Sequence, residues 1–294
     1  MALIHLNGRL VPESEALIPA NDRAVLFGDG AYETVRSYAW KFLRFDAHLA
    51  RMRTALAGIE LDFPLSDEAI VAAADELIRA NDIPDARIRL TITGGLHEGA
   101  LRLRRPNPPN FIMSATPIVP PPADAYRDGV KALVAGFAVS QTSPLARLKA
   151  IPRLANLMAR EEALQADCWD SIFCDERGNL LEGTFTNFFL VTGGTLRTAP
   201  LQHALLPGIT RNLVLTTARE AGIKVSEDPV PRELLAEAEE AFITSTTIEI
   251  LPLRQVGDTV IGDGRPGPVQ RQLHTLYRET VSKELGVTMP PVLG

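Results

Sequence analysis

Ser143-Pro-Leu-Ala-Arg-Leu-Lys149-Ala-Ile-Pro-Arg-Leu-Ala-Asn156 is the stretch from which the rest of the chain is best read. Of the thirty lysines and arginines, only five are lysines, so a lysine kept here points to chemistry that arginine cannot do. A guanidinium stays protonated in proteins, whereas a desolvated lysine amine loses its proton and forms a Schiff base with an aldehyde. Lys41 falls at a hairpin tip, Lys131 opens a strand, Lys224 lies beside Ala221-Gly222 and Lys283 ends a charged helix. Lys149 alone sits among Leu148, Ile151 and Pro152, just ahead of a helix. The simpler alternative is a loop lysine that packs its stem on those apolar neighbours.

Outward from this stretch, composition sets the frame. With 294 residues, 46% of them hydrophobic, the chain buries a large core and is expected to form about two domains. Its net charge of -6, with acids and bases interspersed, gives no basic stripe for nucleic acid. No stretch approaches the eighteen or so apolar residues of a membrane span, and the first residues lack a basic start followed by a long apolar run. The expectation is a cytoplasmic protein with a small-molecule partner, no nucleic acid and no membrane. Cys168 and Cys174 have neither metal-cluster nor disulfide-framework spacing and are expected to be buried free thiols.

Residues 3–11 and 31–45 alternate apolar and polar around Asn7-Gly8 and Trp40-Lys41, the pattern of a strand meander. Helices are expected from Asp46, a candidate N-cap, and from Ser66, with strands at 87–93 and 111–119. Val119-Pro-Pro-Pro-Ala-Asp-Ala125 reads as an extended joint. The expected layout is α+β: a small α/β N-terminal domain over residues 1–119, an interdomain linker over 120–128, and a larger barrel-like α/β domain over 129–294. In the latter, strands near 131–139, 171–176, 186–192 and 241–246 mix with helices near 154–166, 209–221, 231–238 and 268–285.

Several segments of the second domain carry groups suited to an anionic ligand. Pro207-Gly208-Ile209-Thr210-Arg211 opens an amphipathic helix, whose first N–H groups and positive dipole end form a phosphate seat or are merely capped. Thr244-Ser245-Thr246-Thr247 offers hydroxyls and amides for a phosphate or carboxylate, or is an ordinary polar turn. Glu182 ends an apolar strand after a turn at Arg177-Gly178 and either stays solvated or pairs with a protonated ring nitrogen. Arg51 shares a helix with His48, and its simpler alternative is a solvated face.

These segments, with Phe27-Gly-Asp-Gly-Ala-Tyr-Glu-Thr-Val-Arg36, Phe45-Asp-Ala-His-Leu-Ala-Arg51, Leu181-Glu-Gly-Thr-Phe-Thr-Asn-Phe188, Leu206-Pro-Gly-Ile-Thr-Arg211 and Thr244-Ser-Thr-Thr-Ile-Glu-Ile250, resemble in order the motifs of the class IV, fold-type IV pyridoxal phosphate enzymes. The resemblance implies pyridoxal 5'-phosphate as cofactor, a homodimer, and a site between the two domains. It implies that Lys149 forms the Schiff base with the cofactor and moves the proton between substrate Cα and cofactor C4′. Glu182 would keep the pyridine nitrogen protonated, and Leu206 would pack on the ring face. Arg51, Gly208, Ile209, Thr210, Ser245 and Thr246 would hold the phosphate. Arg153 stands where branched-chain enzymes place a tyrosine near the phenolic oxygen.

Tyr32, Thr34, Arg89 and Thr247 are the implied substrate-pocket residues. Arg102, Arg104 and Arg105 offer a further candidate carboxylate trap. The implied activity is transamination between an apolar or branched-chain amino acid and a 2-oxo acid such as 2-oxoglutarate. D-amino acid transamination, R-selective amine transamination and aminodeoxychorismate lyase chemistry stand as alternatives, the last favoured by Thr34 and Arg153.

Overall fold

Two tight hairpins start the first unit. Asn7 and Gly8 both take positive φ, 50° and 89°, as do Ala39 and Trp40, 46° and 71°, which is the mirror-image turn that matches strand twist. The first hairpin joins β1 (Leu3–Leu6) to β2 (Arg9–Pro12), and the second joins β3 (Gly30–Tyr38) to β4 (Lys41–Phe42). With β5 (Ala86–Thr93) and β6 (Phe111–Pro117) they form an antiparallel sheet in the order β2-β1-β6-β5-β3-β4. The structure is a computed structural model and describes residues 2–103, 105–140, 142–203 and 205–291.

Strand alternation decides what this sheet presents. Ala31, Val35, Ile88, Leu90 and Ile92 share one buried face and pack against Leu49, Met52, Leu56, Ile70, Leu77 and Ile78. Those residues come from α2 (Phe45–Gly58) and α3 (Asp67–Ala80). Each such side chain contributes on the order of 1.5–3 kcal/mol on burial. Glu33 interrupts the same apolar face. Tyr32 and Thr34 point the other way, opposite Thr91 and Arg89 of the neighbouring strand.

A short α1 (Arg23–Phe27), unforeseen in the sequence, precedes β3; Asp22 caps it by accepting from the Ala24 N–H. Ser66 caps α3 as expected. Asp46, however, lies in the first turn of α2, and Arg44 holds the cap position in a left-handed conformation. Its carboxylate still suits the positive helix end.

The first unit also takes residues 148–152, which were expected in the second domain. The Tyr32 N–H donates to the Lys149 carbonyl at 2.9 Å and the Ile151 N–H to the Gly30 carbonyl at 3.0 Å, with Ala31 facing Ala150 across an antiparallel bridge. Gly30 is required there because a Cβ would collide with the Ile92 carbonyl and come within 2.6 Å of Ile151 Cδ1.

The second unit comprises 120–147 and 153–294. Three prolines lead into α4 (Ala123–Asp128), so the expected extended linker contains a helical turn. Six strands then close into a ring: β7 (Val130–Ala138), β8 (Asp170–Cys174), β9 (Asn179–Gly183), β10 (Asn187–Thr192), β14 (Glu240–Ser245) and β15 (Glu249–Val256). β7 runs parallel to both β8 and β15, and α5 (Leu154–Gln165) makes the β7-to-β8 crossover. The ring closes where Glu182 pairs with Asn187.

β11 (Thr195–Arg197), β12 (Lys224–Ser226), β13 (Val230–Pro231) and β16 (Thr259–Val260) extend it. Ile172, Leu180, Phe188, Leu190, Ile243 and Leu251 are among its buried apolar residues. The longer helices are α6 (Ile209–Glu220) and α7 (Pro268–Leu285). The helix expected near 231–238 is a 3-10 turn over Arg232–Glu237 that follows Pro231. Glu240 closes the start of α7 by accepting the Val269 and Gln270 N–H groups at 2.9 and 2.7 Å.

Candidate functional site

In the first unit the candidate residues gather on β3 and its neighbours. Lys149 Nζ lies 4.8 Å from the Tyr32 ring centroid, and the Arg89 guanidinium carbon lies 4.0 Å from the same ring. Two cations within reach of one π-face are each stabilised by its quadrupole. Thr34 is the cross-strand partner of Arg89. Lys149, Tyr32, Thr34 and Arg89 are thus brought together by the β3–β5 register and the single bridge between Ala31 and Ala150.

On the opposite face of β3, Glu33 is fully buried. Arg51 grips it in a bidentate pair, Nε to Oε1 at 2.7 Å and Nη2 to Oε2 at 2.9 Å. His48 Nδ1 reaches Oε2 at 3.0 Å. Burial pushes the Glu33 carboxyl up, but Arg51 and the His48 bond outweigh it and hold the group far below the usual carboxylate range. Burial holds the His48 ring below its ordinary value. A neutral ring that bonds a carboxylate must donate to it, so Nδ1 carries the proton. Arg51 is therefore an oriented, buried guanidinium rather than part of a solvated face.

A second buried ion cluster braces the Phe27-Gly-Asp-Gly30 turn. Asp29 accepts from Arg23 Nε at 2.6 Å and from Arg105 Nε and Nη2 at 3.0 and 2.5 Å. Burial pushes the Asp29 carboxyl up, yet the bonds from Arg105 and Arg23 hold it below its ordinary value. Arg105 also donates to the carbonyls of Ile59 and Glu60. It is committed to holding the turn, which removes it as a mobile carboxylate trap. The Arg102 carbonyl accepts from Arg23 Nη2 at 2.9 Å, and Arg104 lies outside the described residues.

In the second unit the ring closure builds the other set. Glu182 Oε2 accepts from the Leu206 N–H at 3.0 Å and from Asn187 Nδ2 at 3.1 Å. The same Asn187 amide donates to the Leu206 carbonyl at 3.0 Å. Gly208 is required beside it, since a Cβ there would land on Asn187 Oδ1. Buried Asp170 fixes the intervening loop, accepting from the Thr184 and Thr186 hydroxyls at 2.5 and 2.7 Å.

No side chain caps the N-terminus of α6, where Gly208 is N-cap and Thr210 is buried, so the amides of Ile209 and Thr210 sit at a positive helix end. Thr246 and Thr247 lie in the turn after β14, with the Ser245 and Thr247 hydroxyls 3.3 Å apart. Arg153 is the residue before α5 and is half-buried. Cys168 is buried, Cys174 is half-buried, and both are free. Among the described residues no group of three or more His, Cys, Asp or Glu side chains is placed to hold a metal, and no helix is long and apolar enough to cross a membrane.

Comparison with known proteins places this arrangement. The family model described as amino-transferase class IV matches residues 30–256. The chain belongs to the class IV aminotransferases. A protein of Methanocaldococcus jannaschii provisionally named a branched-chain-amino-acid aminotransferase is 31% identical over 95% of this chain and 96% of its own. The D-alanine aminotransferase of Listeria innocua is 30% identical over 96% of each chain. The crystal structure of the branched-chain aminotransferase from the thermophilic archaeon Thermoproteus uzoniensis with norvaline superposes with a TM-score of 0.89 at 29% identity, over 96% of this chain and 95% of the other. This aminotransferase thus has the fold-type IV architecture expected from its motifs.

Glu33, Asp29, Asp170 and Asn187 carry the supporting geometry yet were not singled out in the sequence. Asp29, Glu33 and Asn187 stand within the quoted motifs, and Glu33 also left a local signal, as a carboxylate in register with Ala31 and Val35 on an otherwise apolar strand face.

Proposed function

We propose that this aminotransferase moves an amino group between an amino acid with an apolar side chain, the L-branched-chain class first, and a 2-oxo acid such as 2-oxoglutarate, with pyridoxal 5'-phosphate as its cofactor. The observation that carries the reading is Lys149, tied to β3 by its own carbonyl, with its ammonium beside Tyr32 and Arg89. The residues present fit the cofactor. The amides of Ile209 and Thr210 after Gly208 and the Ser245 and Thr246 turn suit its phosphate, while Arg153 suits its phenolic oxygen and Leu206 its ring face. When bound, the cofactor supplies an electron sink for the pair left as the substrate Cα loses its proton.

The chain's own groups do the rest. Lys149 Nζ, as the neutral amine, would take the proton from the substrate Cα and deliver it to the cofactor C4′. Glu182, already turned by Asn187 and the Leu206 N–H, keeps a proton on the ring nitrogen. Arg89 offers its guanidinium to the substrate carboxylate beside the aromatic wall of Tyr32, with Thr34 as its cross-strand partner. The donors of Arg105 serve Asp29 and the carbonyls of Ile59 and Glu60, which takes that arginine out of a trap built from loop arginines.

Single-turnover reactions with L-leucine, D-alanine and R-1-phenylethylamine, beside an assay for pyruvate release from aminodeoxychorismate, test this. L-leucine is expected to convert the cofactor fastest. Faster conversion by D-alanine reverses the ranking, and pyruvate release alone withdraws transamination.

We further infer a homodimer in the cytoplasm, where Cys168 and Cys174 remain thiols. Leu154, Leu157, Met158 and Leu164 are 71%, 55%, 56% and 54% exposed and share one face of α5, opposite buried Ala159 and Ala163. Leu157→Glu is expected to shift the protein toward monomer in sedimentation; an unchanged dimer would place the interface elsewhere.

A further inference from the structure

The turn Thr246-Thr247-Ile248 joins β14 to β15, with Ser245 opposite Glu249. The residue that follows this turn lies in the left-handed region, a conformation that favours glycine. Glu249 is that residue, at φ 57°, and is 1% exposed. A glutamate kept where glycine fits better, and buried as well, has a use for its side chain.

That side chain is fastened to α7. His274 Nε2 and Arg278 Nε both donate to Glu249 Oε2, at 2.8 and 2.7 Å. The His274 ring lies 5.4 Å from that of Tyr126, and the Tyr126 hydroxyl donates to the Ile248 carbonyl at 2.9 Å. The turn is thus gripped at two consecutive residues, Ile248 by α4 and Glu249 by α7. Neither grip involves the hydroxyls of Thr246 or Thr247.

We propose that Glu249 is a positioning residue: through His274 and Arg278 it sets the turn so that Thr246 and Thr247 present hydroxyls and amides to the cofactor phosphate. This rests on the reading of the turn as a phosphate seat. Glu249 does not itself meet the phosphate, and the guanidinium of Arg278 offsets its negative charge.

The test uses the full chain stripped of cofactor and titrated by absorbance with pyridoxal 5'-phosphate and with pyridoxal, which lacks the phosphate. Glu249→Gln is expected to weaken the phosphorylated form about tenfold, the worth of one well-oriented charge-assisted contact, and to leave pyridoxal unchanged. Glu249→Gly accepts the backbone without strain but loses the anchor, and is expected to behave alike. Parallel weakening of both ligands, or a wild-type ratio in the glycine variant, overturns the proposal. Thr246→Val separates the underlying reading: if it leaves the ratio unchanged, the turn is not the phosphate seat. If it lowers the ratio while both Glu249 variants keep theirs, only the role of Glu249 falls. Should Glu249→Gln fail to fold by urea titration, Arg278→Gln removes one of the two anchoring bonds and is expected to lower the ratio about threefold.

Discussion

Lys149→Ala is expected to abolish turnover, by roughly 10⁴-fold or more given the proton transfer and the covalent role it removes together. It also removes the borohydride-reducible link to the cofactor. The other four lysines belong to other elements: Lys41 lies on β4, Lys131 on β7 where it pairs with Asp167 at 3.4 Å, Lys224 on β12 and Lys283 near the end of α7. The fold is expected to tolerate the change, because it is the Lys149 carbonyl, not the amine, that pairs with the Tyr32 N–H. Steady-state assays, mass measurement after borohydride and a thermal melt check the three parts. Retained turnover with a reducible link at another lysine would end the assignment.

Glu33→Ala is expected to destabilise the protein by about 3–5 kcal/mol, the cost of breaking a buried pair from one side. The Arg51 side chain is only 9% exposed, so its guanidinium would be left without its bidentate carboxylate, and His48 would lose its acceptor. Replacing both members, Glu33→Met with Arg51→Met, is expected to recover part of the loss in urea titrations. The pH dependence has a definite sign. The folded carboxyl is held below its unfolded value, so its contribution is fully present above the ordinary carboxylate range and is lost as pH falls below it. The Glu33→Ala variant is therefore expected to lose less stability on acidification than the wild type. An equal acid loss in both would contradict the pairing.

Much of the first unit was legible because its signals are local. Asn7-Gly8 favours a hairpin, Ser66 caps a helix, and apolar alternation assigns the sheet faces, while the second turn, expected at Trp40-Lys41, falls one residue earlier at Ala39-Trp40. Lys149, Glu182, Thr210 and Thr246, the residues proposed for the chemistry, stand in the motifs that carry the family resemblance. What holds them was not legible, because it depends on distant pairings. Asp29 meets Arg105 across 76 positions, and Glu182 meets the Leu206 N–H across 24. Arg105 shows the cost most directly. In sequence it is one of several loop arginines able to meet a substrate, and only the fold reveals that its donors serve Asp29 and two carbonyls. The ring closure at Glu182 and Asn187 is likewise a tertiary outcome that no local periodicity encodes.

Residues 148–152 make the first unit discontinuous in the chain. A ribosome that has released residues 1–119 has not yet supplied the segment that covers the free edge of β3 at Gly30–Tyr32. Until α4 and β7 have followed, that edge presents unpaired amides of the kind that recruit foreign strands. An expression fragment ending at 119 is accordingly a poor surrogate for this part of the molecule. Lys149, proposed above as the cofactor lysine, arrives on the same late segment, so the last piece to join the first sheet is also the one that carries that amine.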